Sequence, residues 1–192
     1  MKNINARFVA VSVLVLIAGI SRLLPHPPNV TAMGAMALFG GAYFNNRFMS
    51  LLMPLATLFV SDLVLDNVIY ANNGQFVWFY SGAAWVYGSF AAGIVLSWFL
   101  LKKVDVKNVF VTSLASSVLF FVVTNFAAWQ SGFMPYAKDI SGLAASYVAA
   151  IPFFGNSLVG DLFFCAVLFG GFELAQRRFP TLARTYNGTP FR

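Results

Sequence analysis

Apolar positions in this chain run in long blocks broken by short polar or turn-forming stretches. They do not alternate residue by residue. Blocks of this kind read as membrane-crossing helices, because a helix needs about 20 largely apolar residues to span the hydrocarbon. Six spans are predicted, at residues 8–24, 30–44, 48–65, 76–101, 109–129 and 156–175. A shorter run at 143–154 holds Pro152 and reads as a half-helix or interfacial segment. The second span is short for a straight crossing, so either the bilayer thins there or neighbouring helices shield it. The expected fold class is an all-α integral membrane protein, one transmembrane domain over residues 1–192.

Between the first two spans lies SRLLPHPPNVTAMGAMALFGG, residues 21–41. Each proline fixes its own φ and restricts the residue before it, so His26, between Pro25 and Pro27, sits in a stiff extended corner. The alanines and glycines that follow allow close helix packing. The corner is expected to form one wall of a ligand pocket at the outer face of a membrane.

Composition supports the membrane class. Only 9% of the 192 residues are charged and 59% are hydrophobic, whereas a soluble domain carries about 25% charged residues. The net charge of +6 does not point to nucleic acid, because the cations sit at the ends of apolar runs and not on one face. With six spans and a cytoplasmic N-terminus, Lys2, Arg7, Arg47, Lys102, Lys103, Lys107, Arg177, Arg178, Arg184 and Arg192 fall inside, and Arg22 and Lys138 outside. That is the positive-inside pattern. A spanning 143–154 would move the C-terminal arginines outside, so both ends are expected in the cytoplasm. The N-terminal MKNINARFVAVSVLVLIAGI imitates a signal peptide but lacks a clean cleavage site, and reads as a retained helix. The single cysteine, Cys165, has no partner for a disulfide within the chain and reads as a small buried hydrophobe.

The polar residues inside the spans carry the functional signal. A carboxylate at mid-bilayer costs about 2.5–3.5 kcal/mol on insertion scales, so each needs a partner or a purpose. Arg22, His26, Asn29, Asp62, Asn125, Asn156 and Asp161 all fall near the outer ends of the predicted helices. Groups collected on one side suggest a cavity open to that side, not a continuous pore. Two structural roles stand beside that reading: Arg22 pairs with Asp62 or Asp161 as a fastener, and His26 bonds a loop carbonyl. The outer segments are also aromatic, with Tyr70, Phe76, Trp78, Phe79, Tyr80 and Trp85 at one site and Trp129, Phe133, Tyr136 and Tyr147 at another. Such rings gather at membrane interfaces. Beside Asn67, Asn72, Asn73, Gln75 and Gln130 they also suit a planar organic solute, with Trp78, Tyr80 and Trp129 as stacking residues.

Small residues recur at helical spacing: Ala84, Gly88 and Ala92 in one row, Ser89, Gly93 and Ser97 in another, and Ala37 with Gly41. They serve internal packing or present a face to a partner membrane protein. One histidine rules out a multi-histidine metal cluster, and no GxSxG, P-loop or GxGxxG occurs. No enzymatic activity, metal or cofactor is expected, and the chain has no means of its own to drive transport with ATP.

RLLPHPPNVTAMGAMALFGGAYF, VSDLVL and IPFFGNSLVGDLFF resemble an HPPN-motif family of small bacterial membrane proteins. That family is similar to the substrate-binding S components of energy-coupling-factor (ECF) transporters, the vitamin B12 S components among them. The resemblance implies a six-helix inner-membrane bundle that captures a vitamin or similar micronutrient, a cobalamin-like compound being one candidate, for a separate transmembrane subunit and ATPases. The vitamin B12 members place a cysteine on cobalt; the comparable stretch here, around Tyr80 and Ser81, has none, which leaves His26 as the alternative ligand. The first span also lacks the Ala-x-x-x-Ala docking motif of many S components, so either Ala37 and Gly41 serve instead or the docking partner differs. The alternative function is a non-transport scaffold or assembly subunit whose polar residues fasten helices together.

Overall fold

The computed structural model describes residues 5–70, 74–132, 134–183, 185–186 and 189–190. Lys2, Asn72, Asn73, Phe133, Arg184 and Arg192 lie outside the described residues. The helices are α1 (Ala6–Ser21), α2 (Met33–Tyr43), α3 (Arg47–Val64), α4 (Ala83–Leu100), α5 (Val106–Ser131) and α6 (Ile140–Arg178). A π-helical turn, Leu65–Ile69, extends α3, and a short 3-10 turn, Pro180–Leu182, follows α6. Near the C-terminus Thr185–Tyr186 and Thr189–Pro190 pair as a two-residue antiparallel ladder. The class is therefore all-helical, apart from that ladder.

The helix starts follow from side-chain caps. Asn5, Asn46, Asp105 and Asp139 each accept a backbone N–H of the first turn, from Phe8, Phe48, Asn108 and Gly142 respectively, and so occupy donors that the helix leaves open. Gly132 ends α5 at a φ of 72° that a side chain would resist.

Four helices are long and apolar enough to cross a membrane: α3 with its π turn (Arg47–Ile69), α4, α5 and α6. Their outer faces, and that of α1, carry exposed Val, Leu, Ile and Phe, for example Phe8, Ile17, Val60, Phe99, Val122 and Phe163. In water such a belt would aggregate; against lipid chains it is matched.

α2 is the hub. It touches α1, α3, α4, α5 and α6, and all of its residues except Gly34 and Ala42 are buried. The short apolar run at 30–44 is thus enclosed by the other helices. Glycines of α2 admit those neighbours: a methyl at Gly34 would meet the Asp161 carboxylate at 2.2 Å, at Gly40 the Pro54 ring at 2.5 Å, and at Gly41 the Ser97 hydroxyl at 1.9 Å. Phe39 and Tyr43 then stack with Phe169 and Phe172 of α6. Val11 and Val15 are fully buried, so α1 is built into the same core, as is Cys165.

Two expected boundaries change. Residues 76–82 form an irregular segment and α4 begins only at Ala83. Asn67 holds that segment, donating to the Val77 carbonyl at 2.9 Å and accepting the Val77 N–H at 2.7 Å. The runs 143–154 and 156–175 belong to one 39-residue helix with Pro152 inside it; the apolar flanks sustain the helix past the single lost N–H. At 1.5 Å per residue α6 is about 58 Å long, roughly twice the hydrocarbon thickness. From Tyr147 to Asp161 it advances 14 residues while its hydrogen-bond partners on α5 retreat 5, from Val122 to Ser117. A small chamber lies between α5 and α6 beside Pro152, and Phe121 of α5 meets Phe154 of α6 next to it.

The start of α1 and the end of α6 meet at one end of the bundle. Arg7 donates to Gln176 at 2.9 Å, to the Leu182 carbonyl at 2.8 Å and to the Tyr43 carbonyl at 3.3 Å. Tyr43 in turn donates to Glu173 at 2.5 Å. Arg47, Lys102, Lys103, Lys107, Arg177 and Arg178 lie at helix ends on this side, and Arg22 and Lys138 on the other.

Candidate functional site: a polar cavity at the end opposite the termini

At the other end, α1, α3 and α5 finish while α2, α4 and α6 present their earlier parts. There the helices part around a cavity of about 640 Å³. Its floor is the start of α2, Met33 and Gly34; its walls include Arg22, Asp62, Asp66, Ser89, Phe90, Phe120 and Asp161. His26, Asn29 and Thr31 of the proline corner form one side, and Tyr70 and Tyr80 close the other.

Of the predicted site residues, Arg22, His26, Asn29, Asp62, Tyr80 and Asp161 come together on this cavity. Arg22 and Asp62 form an ion pair between α1 and α3. Asp62 also accepts the Tyr87 hydroxyl at 2.7 Å, and Arg22 reaches the Ser61 hydroxyl at 3.3 Å. Asp62 is thus fully engaged and ties α1, α3 and α4 together. Asp161 is different. The Ser117 hydroxyl donates to one of its oxygens at 2.6 Å, and no cation pairs with it among the described residues. Its carboxylate lies against Gly34, at a helix start that no side chain caps, so the partial positive charge of that end of α2 sits beside it.

The proline corner is held by short contacts. The ring nitrogens of His26 face the Pro27 and Arg22 carbonyls at 2.9 and 3.2 Å; a ring with one proton donates to one of them. Asn29 adopts a left-handed φ of 63°, a conformation asparagine tolerates better than most residues. Burial pushes the Tyr80 phenol up to about 12, so Tyr80 remains a neutral donor at the cavity's edge.

Four predicted residues take other places. Asn156 donates to the Pro28 carbonyl at 3.1 Å and fastens the corner to α6. Asn125 donates to the Phe121 carbonyl at 2.8 Å and borders a side chamber of about 190 Å³ between α5 and α6. That chamber shares Asn29, Phe120, Ser157 and Asp161 with the main cavity. Trp78 is 63% exposed beside Phe76, because 76–82 is not helical and no helix face turns it inward. Trp129 donates to the Ala137 carbonyl at 2.8 Å and lies under Lys138, away from the cavity.

The small-residue rows separate cleanly. Ala37 and Gly41 are buried against α4, so they are internal packing and not a docking face. Ser89, Gly93 and Ser97 are buried too. Ala84 and Gly88 point outward, with Ala92 half-buried, and a methyl at Gly88 would meet nothing within 4 Å.

Asp66, Tyr87, Phe90 and Phe120 were not singled out from sequence. Asp66 had a legible signal, lying one turn beyond Asp62 on the same helix face. Tyr87 had the equivalent signal, a hydroxyl near the cavity end of an apolar span. Phe90 and Phe120 had none, since a phenylalanine facing a cavity and one facing lipid read alike.

A family model described as a family of unknown function (DUF6580) matches residues 2–182. The chain belongs to that family. No curated protein and no solved structure matches the chain.

Proposed function

We propose that this DUF6580 protein is a solute-capturing membrane subunit of the ECF S-component type, binding a small organic nutrient in the cavity. The observation that carries this reading is the cavity itself. Its volume of about 640 Å³ falls within the 300–1,000 Å³ typical of small-molecule sites. Its wall mixes aromatic side chains with a few polar groups, and all six helices and the proline corner contribute to it. A bundle that only needed packing would fill this space, since empty volume costs stability. In this reading the chain crosses a bacterial inner membrane six times, α2 making its pass wrapped in the other helices. Both termini are cytoplasmic, where the cations concentrate, and the cavity opens outward. A separate energising subunit with ATPases releases the solute inside.

Ser157→Trp tests the reading. Ser157 borders both the cavity and the side chamber and is half-buried on α6, so an indole there fills the space without disturbing the helix core. Binding across a nutrient panel, followed by calorimetry on detergent-solubilised protein, should be lost while the thermal midpoint holds. A scaffold subunit would keep its function in this variant. Unchanged solute binding in Ser157→Trp, or no binding by the wild type, sinks the proposal.

A further inference from the structure

The charges around the cavity do not balance. Three carboxylates line it, Asp62, Asp66 and Asp161, against one guanidinium, Arg22. Arg22 is already paired with Asp62. Asp66 and Asp161 are left without a cation among the described residues. The start of α2 beside Asp161 offsets this in part, by roughly half a charge. Carboxylates facing one cavity with so little positive charge beside them favour a positively charged guest there.

A metal ion does not fit that role. Among the described residues no three His, Cys, Asp or Glu side chains are placed to hold one. Asp66 and Asp161 come from different elements, the π turn after α3 and the middle of α6. An extended molecule that occupies the cavity between them can carry the balancing charge. The rest of the wall suits an organic cation, because Tyr70, Tyr80, Phe90 and Phe120 line it and aromatic rings attract positive charge.

Resting on the solute-capture reading, we infer that the captured solute is an organic cation seated between Asp161 and Asp66, its positive charge balanced by these two carboxylates and its body packed against the aromatic wall. The Arg22–Asp62 pair then acts as a neutral fastener and contributes no charge selectivity.

The test reads the charge of what the protein retains. Native mass spectrometry of full-length protein released from its own membranes should find a solute that is cationic at pH 7. Its occupancy should fall at least tenfold in Asp161→Asn, and in Asp66→Asn, which serves as the second variant should the first fold poorly. A retained solute that is neutral or anionic overturns the charge class and leaves solute capture standing. A cationic solute that both variants keep overturns the assignment of these two carboxylates. If nothing is retained, and thiamine, pyridoxamine, pyridoxine, biotin and pantothenate all fail to bind at micromolar concentration by calorimetry, both this inference and the capture reading fall.

Discussion

Replacing Arg22 by methionine removes a charge from a site where its partner is already committed. Asp62 accepts from Arg22 and from the Tyr87 hydroxyl, and its side chain is 5% exposed against 22% for Arg22. Arg22→Met leaves a carboxylate with one neutral donor in a poorly solvated place. Breaking a buried ion pair costs about 3–5 kcal/mol. Because Arg22 is about a fifth exposed and borders a cavity that water can enter, the low end applies, about 3 kcal/mol, more than a hundredfold in the folding equilibrium. Changing both partners, Arg22→Met with Asp62→Leu, removes the orphaned charge and should recover most of that loss, to within about 1 kcal/mol of wild type. Reversible unfolding in mixed micelles with rising SDS, followed by tryptophan fluorescence, measures each variant. A single substitution costing under about 1 kcal/mol, or a double variant as unstable as the single, refutes the fastener role of this pair.

Other consequences follow from packing and capping. Gly41→Ala should lose about 1–3 kcal/mol by overpacking, since the new methyl would lie 1.9 Å from the Ser97 hydroxyl. Gly88→Ala on the open face of α4 should be neutral or stabilising by up to about 1 kcal/mol through helix propensity; the same SDS titration separates them. Two hydrogen bonds to the Asp139 carboxylate, from the Gly142 N–H and the Ser141 hydroxyl, hold its carboxyl below the usual range. A depressed carboxyl contributes stability above its unfolded value and loses it as pH falls through the folded one. The thermal midpoint advantage of wild type over Asp139→Asn should therefore be steady near neutrality and shrink as pH drops below about 4. An advantage that persists undiminished at pH 3 contradicts the cap.

Much of this protein is legible along the chain, for a reason peculiar to membranes. Inside lipid every backbone polar group must be satisfied within its own helix, so long apolar runs fix where helices lie, and the runs here fall close to α1, α3 and α5. Polar residues are too costly in the hydrocarbon to be scattered, so Arg22, Asp62 and Asp161 could be expected near one end, and the structure gathers them there with His26 and Asn29. The sequence by itself thus determined the membrane class and the end of the bundle where polar groups collect. The tertiary structure decided which faces meet. Lipid is as apolar as a protein core, so hydrophobic periodicity does not distinguish a face turned to lipid from one turned inward. For that reason the central position of α2, the burial of Ala37 and Gly41, the exclusion of Trp78 and Trp129, and the roles of Phe90 and Phe120 appear only once the helices are packed. Packing likewise decides that Pro152 lies within one continuous helix and does not end a short one.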